Sequence, residues 1–585
     1  MVAAYLLAGV VLCAVYARLS QTYPLNSDSA NILLMGSDLL HGNVLLHGWY
    51  MSDVSFYPTE IPQYALLEGV LGLRADTGHI AAGMTYTLAL LLAVMLARSG
   101  SGSSGRQRLI RTLIAAGIML APQLGLGVFT MDLSVGHIGT SVPLLLIWLL
   151  LDRASSAGPG GRPPGTPRSR GDSPSPHTPL APRSPGDAPS PRTPVAPHDP
   201  GDPSPQALLG YLCGLVAILL AWVLVADPIV YIVGVGPLGI VSALRVIRGW
   251  VKADESWSQW YDLSLGATSV AATGLAWFAN WMLSGVGGYT MAGLPFHLTP
   301  WSDLHNNWQA GWKVLTAFGA DYTGLSGTQL VLAFLHLVSV ALVACALARV
   351  AWRFFRVSLV DQILAVAIVL NVLLFMFTNA SGLAAHEVAI IVPFGAALAA
   401  RVLVRARDAA RAPRGAHPAS RARRVGLAGG LRLAGAAVGI LVLIGYAAGL
   451  GYEIRQPARP AANTSLATWL LDHHLTHGLS GYWTSSSVTV DSLNRVQVRA
   501  LMPSMQDYLW MSSVSWYDPQ KHYANFIVLD STPGYSRWDP PRWLIKRYFG
   551  TPARTYHTGP YTVLVWHKNL LLSIPGNAAI QALYQ

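Results

Sequence analysis

Residues 26–60 read NSDSANILLMGSDLLHGNVLLHGWYMSDVSFYPTE, and this stretch decides how the rest of the chain is read. It follows a first apolar segment, residues 3–19, and sets Asp28 a few positions beyond it, at a water–lipid boundary. An apolar run with helical spacing comes next, in which Ile32, Met35, Leu39 and Leu40 share one face. That run is expected to lie along the outer interface. Two further acids, Asp53 and Glu60, close the stretch. A carboxylate held at that depth can act on the polar head of a lipid whose tail stays in the bilayer. The pattern points to a membrane enzyme with a lipid-linked substrate.

Composition agrees. The chain has 585 residues, of which 52% are apolar and only 11% charged, with a mean hydropathy of +0.40. Those values exclude an ordinary soluble domain and fit a polytopic membrane protein. The net charge of +11 is no nucleic-acid signal, because most Arg and Lys fall in short loops between apolar segments, as on a cytoplasmic face. Cys13, Cys213 and Cys345 all lie inside apolar segments, so no exported disulfide framework is expected. Residues 1–20 lack a basic n-region and a cleavage site, and read as a retained anchor helix.

Apolar stretches long enough for a bilayer core of about 30 Å occur at roughly eleven places. They are 3–19, 78–97, 110–128, 136–152, 207–225, 228–246, 263–283, 328–348, 359–378, 387–404 and 432–450. With the N-terminus cytoplasmic, Arg98, Arg106, Arg108 and Arg111 fall inside. So do Arg245, Arg248 and Lys252, then Arg349, Arg353 and Arg356, and the basic run 401–432. The outer loops then carry few cations, chiefly Arg74 and Lys313, and the C-terminal region lies outside. The expected architecture is a polytopic α-helical membrane protein with a small C-terminal extracytoplasmic α/β domain. Four parts follow: a transmembrane module 1–153 with outer loop 20–77, a linker 154–206, a second transmembrane module 207–452, and an outer domain 453–585. The linker is built from Pro, Gly, Ser and Arg and has too few apolar residues for a core, so it reads as a disordered cytoplasmic segment.

In the outer domain, 466–475 has helical spacing, while SVTVDS, RVQVRA, NFIVLD and YTVLVWH read as strands. Asp539-Pro540-Pro541 is a helix start and Gly550 a stop. His473 and His477 stand i, i+4 as metal ligands on a helix can, but no third ligand accompanies them. Tyr482, Trp483, Trp510, Trp516 and Tyr517 line an acceptor groove or form that domain's core.

Asp28 has two readings, an N-cap of the following helix or a general base for an acceptor hydroxyl. Asp53 and Glu60 are candidates for a second catalytic carboxylate, and Asp132 in FTMDLSVGHIGT is a third; a turn or a helix cap is the plain reading of each. A leaving phosphate needs positive charge, and the few outer-side cations are Arg18, Arg74 and Lys313, with His137 and His386 at span ends. Asp227, before Pro228, sits in a tight outer turn where it caps the loop or contacts substrate. The loop 285–328, with Trp301, His305, Asn306, Asn307, Trp308 and Trp312, either covers a substrate or holds interfacial tryptophans. No Gly-rich phosphate loop, GxSxG elbow or HExxH motif is present, which argues against nucleotide-sugar transferases, ATPases and zinc proteases.

The membrane half, roughly residues 1–400, resembles the GT-C glycosyltransferases, among them the protein O-mannosyltransferases and the aminoarabinose transferases of lipid A. The likeness rests on NSDSANILLMGSDLLHGN after the first span, on SDVSFYPTE, and on HEVAIIVPFGAALAAR near the last core span. It implies a polyprenyl-phosphate sugar donor, an outer-loop carboxylate as base and inversion at the anomeric carbon, with Asp28 in the base position. The resemblance makes His386 the leading cation. Where many relatives carry Asp-Glu, this chain has Asp28-Ser29, so the second acid must come from elsewhere. No cofactor is certain; Mg2+ or Mn2+ held by Asp28 and another acid is the alternative to a protein cation. The expected partners are the polyprenyl-phosphate donor, a lipid, glycan or protein acceptor and the cell membrane, not nucleic acid. Two rival functions stand beside the enzyme: a flippase for lipid-linked glycans, for which mid-span charges and repeat halves are lacking, and a non-catalytic scaffold of envelope assembly, which would tolerate Asp28→Asn.

Overall fold

The computed structural model describes residues 2–100, 103–122, 127–128, 136–156, 205–252, 257–293, 297–303, 307–320, 327–379, 385–405, 437–459 and 461–575. Asp132, His305, Asn306 and nearly all of the expected linker 154–206 lie outside them.

The first module is built on α1 (Val2–Ser20) and α4 (Ala75–Arg98). They approach closely because Gly83 faces α1: a Cβ there would lie 2.8 Å from Ala17 Cα and 2.9 Å from Cys13 O. Small residues at such crossings let backbones touch, which is how helices gain dispersion energy in lipid. Between them run α2 (Ser27–Leu40) and α3 (Glu60–Leu71). The helix α5 (Gly105–Met119) is shorter than the expected span 110–128 and begins earlier, at a capping box of Ser104 and Gln107. It stops at Leu120, before Pro122, and the carbonyls freed at its end are taken up by buried tyrosines. Tyr86 Oη donates to Met119 O at 2.6 Å and Tyr16 Oη to Leu120 O at 2.9 Å.

The helices that follow are α6 (Ile138–Ser156), α7 (Pro205–Ala226), α8 (Gly236–Val251), α9 (Trp257–Gly285), α10 (Trp308–Ala317), α11 (Gly327–Trp352), α12 (Leu359–Phe377) and α13 (Ile391–Arg405). A further apolar helix, α14, covers Ala437–Glu453. Among the described residues, seven helices are long and apolar enough to cross a membrane. The apolar part of α1 and all of α14 are shorter, and the Trp, Thr, Ser and Asn content of α9 keeps it out of that set. Exposed Leu6, Leu7, Val10, Leu208, Ile218 and Val270 make the outer surface of the bundle apolar, as lipid contact requires. The protein is a multi-pass membrane protein.

One end of the bundle is tied by a buried guanidinium. Arg401 donates from Nε to Asp361 at 2.5 Å and from Nη2 to Asp152 at 2.7 Å. Its Nη1 reaches Leu96 O at 2.9 Å and Ser99 Oγ at 2.7 Å. The ends of α4, α6, α12 and α13 are thereby fixed together. The opposite ends of α6 and α13 carry part of the candidate site.

The C-terminal domain holds a five-stranded sheet in the order β4-β3-β6-β8-β7, from β3 (His477–Ser480), β4 (Gln497–Ala500), β6 (Phe526–Asp530), β7 (Arg554–Thr558) and β8 (Tyr561–Val565). Three expected strands are present. The fourth, SVTVDS, is helical: it forms the end of α16 (Tyr482–Asp491), the crossover between parallel β3 and β4. Parallel neighbours need such a crossover, and α16 is covered by β4 on one side and α2 on the other, so tertiary packing overrides the β propensity of Val and Thr. The preceding helix is α15 (Thr464–Asp472). The expected helix after Pro541 is α17 (Arg542–Phe549), stopped by Gly550 at φ 75°.

A second, three-stranded sheet joins the layers. In the first loop, β1 (Trp49–Met51) pairs in parallel with β2 (Thr290–Met291) and antiparallel with β5 (Ser512–Ser513) of the outer domain. The buried Trp49 donates to Asp38 at 2.7 Å and stands edge-on to Trp516. The segment α2, expected along the outer interface, is packed against protein on both sides. It is sandwiched between α3 and α16, with Ile32 and Met35 fully buried.

Candidate functional site

The helix α2 is capped by Asn26, whose Oδ1 accepts from Ser29 N at 3.0 Å. Asp28 lies in the first turn, so the cap reading does not hold and its carboxylate is left for other work. One oxygen accepts the hydroxyl of Tyr482, and the other lies 3.4 Å from the Asn26 amide. Burial raises the Asp28 pKa, which the Tyr482 hydrogen bond and the nearby His386 partly offset. Tyr482 opens α16, is 3% exposed and stacks on Tyr508 with ring centroids 4.9 Å apart. Burial and the Asp28 charge push its hydroxyl well above the usual phenol value, so it stays protonated and donates. The outer domain thus reaches the first-loop carboxylate directly.

A second cluster gathers on α6, α7 and the Ala385–Val388 turn that leads into α13. His137, just before α6, sits between two acids: Nδ1 is 2.7 Å from Asp227 Oδ2 and Nε2 is 2.9 Å from Glu387 Oε2. Two ionised carboxylates ask both ring nitrogens to donate, which makes this residue an imidazolium. Thr140 donates to the same Asp227 oxygen at 2.5 Å, and the other oxygen caps the turn at Ile229 N, 3.0 Å away. The plain reading of Asp227 as a loop cap therefore holds, and its other oxygen joins the cluster. His386 Nε2 is 3.4 Å from Glu387 Oε1, and a Cβ at Gly136 would lie 2.6 Å from the His386 Cβ. Only glycine admits that approach. Near enough to Asp28 to stabilise its charge, His386 links the two clusters.

Asp53 and Glu60 border the second cluster. The loop 52–58 is pinned to the end of α7: Ser55 N and Phe56 N both donate to Ala226 O, at 3.0 and 3.2 Å, and Ser55 Oγ to Val225 O at 3.0 Å. Asp53 is half-buried, and its pKa is raised by burial and by Glu387, against the pull of His137. Glu60 starts α3, is 5% exposed and accepts the Thr59 hydroxyl. Burial lifts it to about 7, with Asp227 adding repulsion. A Cβ on Gly139 would run into its carboxylate. Glu60 is thus enclosed, whereas Asp53 keeps access to solvent.

The remaining cations separate. Lys313 sits half-buried on α10, which packs against Ala385–Val388, and burial lowers its pKa. Arg74 is exposed at the start of α4 and makes no ion pair among the described residues. Arg18 is spent on Gln456 O at 2.5 Å. Trp301 is 87% exposed. His473 caps the end of α15 and stacks on Trp469, while His477 lies in β3, so their expected shared helical face does not exist. Tyr517 is fully buried in the outer domain's core, and Trp516 lies over the Arg499 guanidinium at 4.0 Å. No group of three His, Cys, Asp or Glu among the described residues is arranged to hold a metal ion.

Tyr482 was visible only as one aromatic of an outer groove, because nothing in sequence links positions 28 and 482. Glu387 stands next to His386 and could have been taken up with it, as an acid opening an apolar span. Thr140 gave no signal.

No family model matches the chain, and no curated protein matches it. Solved structures do. Two of them are ArnT from Cupriavidus metallidurans in the apo state, at 12% identity, and the same protein bound to undecaprenyl phosphate, at 13%. Each covers 96% of this chain and 97% of its own, with a TM-score of 0.50. At that identity the likeness establishes the fold alone, which is the one these two structures share.

Proposed function

We propose that the protein is an inverting glycosyltransferase that moves a sugar from a polyprenyl-phosphate donor to an acceptor hydroxyl at the outer face of the cell membrane. The observation that carries the reading is Asp28, held by Asn26 and Tyr482 just past the first helix and faced by His386. A structural neighbour that binds undecaprenyl phosphate supports the lipid carrier. In this reading Asp28 takes the proton of the acceptor hydroxyl as that oxygen bonds to the anomeric carbon. The bond from that carbon to the phosphate oxygen breaks, and polyprenyl phosphate leaves with the electron pair. The leaving group gains negative charge, which His386 and Lys313 offset. Arg74 is the weaker candidate, being exposed and outside both clusters.

Asp53 is the second acid in this reading, since it borders the cluster and keeps solvent access, and Glu60 shapes the wall behind it. His137, Asp227 and Glu387 hold the three helix ends at the spacing the site needs. The N-terminus is cytoplasmic and the C-terminal domain outside, as the loop charges indicate. The direct test is Asp28→Ala in reconstituted membranes with a polyprenyl-phosphate sugar. Loss of the base should cut transfer by a factor of about 10² to 10⁴, with the protein still folded and inserted. Transfer at the parent rate would overturn the assignment.

A further inference from the structure

Away from Asp28, the seam between the first loop, the end of α9 and β2 forms an open cleft of about 670 Å³. Its walls come from Tyr50 in β1, Asn280, Leu283 and Ser284 on the last turns of α9, and Thr290 in β2. No Asp, Glu, Lys, Arg or His lines it. The turn after α9 is drawn in tightly. Gly287 has φ 70° and its carbonyl lies 2.5 Å from His47 Nδ1, while Gly288 N donates to Leu283 O at 2.8 Å. A Cβ at Gly288 would lie 2.9 Å from that same carbonyl, so bulk is excluded where the cavity opens.

Three features give the occupant's chemistry. The polar groups are a carboxamide and uncharged hydroxyls, which match sugar hydroxyls as both donors and acceptors. Tyr50 and Tyr289 add aromatic surface of the kind that packs on the C–H face of a sugar ring. A phosphate or carboxylate would find no counter-charge in the lining, so the site does not select for one.

Two more give its place. Trp277, Phe278 and Trp281, on the same last turns of α9, are 69%, 52% and 59% exposed, as an aromatic belt at the water–lipid boundary would be. Tyr289 is 4% exposed and stands edge-on to Tyr57, 5.7 Å away. Tyr57 belongs to the loop that carries Asp53, so a residue lining the cavity touches the loop that borders the candidate site.

We propose that this cavity binds the neutral sugar headgroup of a membrane-anchored acceptor, a proposal that rests on the glycosyltransferase reading above. The full chain in nanodiscs would be photolabelled with dodecyl maltoside carrying a diazirine on its sugar, and in parallel with a diazirine-bearing dodecyl phosphate. The maltoside should label residues 280–291, and unlabelled dodecyl maltoside should compete. Ser284→Trp, which fills the cavity, and Asn280→Leu, which removes its carboxamide at similar size, should each cut that labelling about tenfold. Undecaprenyl phosphate binding should stay as in the parent. Equal labelling of this segment by dodecyl phosphate, or labelling indifferent to both variants, would overturn the proposal. Asp28→Ala tests the parent reading separately, because it should abolish transfer and leave maltoside labelling intact. Labelling that vanished with Asp28 would put the probe at the Asp28 site and overturn a distinct acceptor cavity.

Discussion

Replacing Tyr482 with Phe removes one hydroxyl and keeps the ring stacked on Tyr508. That hydroxyl donates to Asp28 and favours its ionised form. Hydrogen bonds to charged groups are worth about 1.5–3 kcal/mol, and each pKa unit corresponds to about 1.4 kcal/mol. The Asp28 pKa should therefore rise by about one to two units in the variant. A base works in its ionised form, so the acidic limb of the pH–rate profile of transfer should move up by the same amount. On that limb, at any one pH, the variant should be slower by about 10- to 100-fold, and above it the rate should return toward that of the parent. The assay is initial transfer rate in proteoliposomes from pH 5 to 10, with donor at saturation. A limb that does not move, or a rate that stays low at high pH, would refute the linkage and make Tyr482 a packing residue.

Other consequences can be checked on the purified protein. Glu60 titrates near 7 in the folded chain against an ordinary 4.5. The folded state therefore holds a proton that the unfolded state has lost within that window, and stability should fall as pH rises through it, by about 3 kcal/mol once above 7. Glu60→Gln should lessen that slope, to which Glu68, Asp491 and Asp539 also contribute, and raise the unfolding temperature at pH 8 but not at pH 4, as followed by scanning fluorimetry in detergent. His137→Ala strips the shared cation from the carboxylates of Asp227 and Glu387, and should destabilise by about 3–5 kcal/mol, read as a lower unfolding temperature. If His386 and Lys313 offset the leaving phosphate, chelation with EDTA should leave transfer unchanged, whereas a requirement for Mg2+ or Mn2+ would abolish it.

Much of the site was legible as single residues. Asp28, Asp53, Glu60, His137, Asp227 and His386 all stand where an apolar run meets a polar one, and the membrane forces such residues to the helix ends. Their grouping was not legible. His137 meets Asp227 and Glu387 across 90 and 250 residues of chain, which no local periodicity records. The same limit explains SVTVDS. Its alternation is that of a strand, yet α16 must cross between two parallel strands and is packed on both faces. The early end of the helix at Met119 was not legible, because apolarity alone does not reveal that two tyrosines on neighbouring helices can satisfy carbonyls there.

The order of apolar segments, the class of fold, a sheet-containing C-terminal domain and the acidic residue after the first helix were all set by local sequence. Burial in lipid permits only helices that satisfy their own hydrogen bonds, and so makes hydropathy a direct record of topology. What only the tertiary structure decided is which polar groups meet. Asp28 is a capped helix's free carboxylate because Asn26 took the capping role, and its partner is a tyrosine from a domain 454 residues later in the chain. Such pairings depend on how helix ends and sheet edges come together in space, and the free energy that selects them comes from burying charged groups only where an opposite charge or a hydrogen-bond donor is waiting.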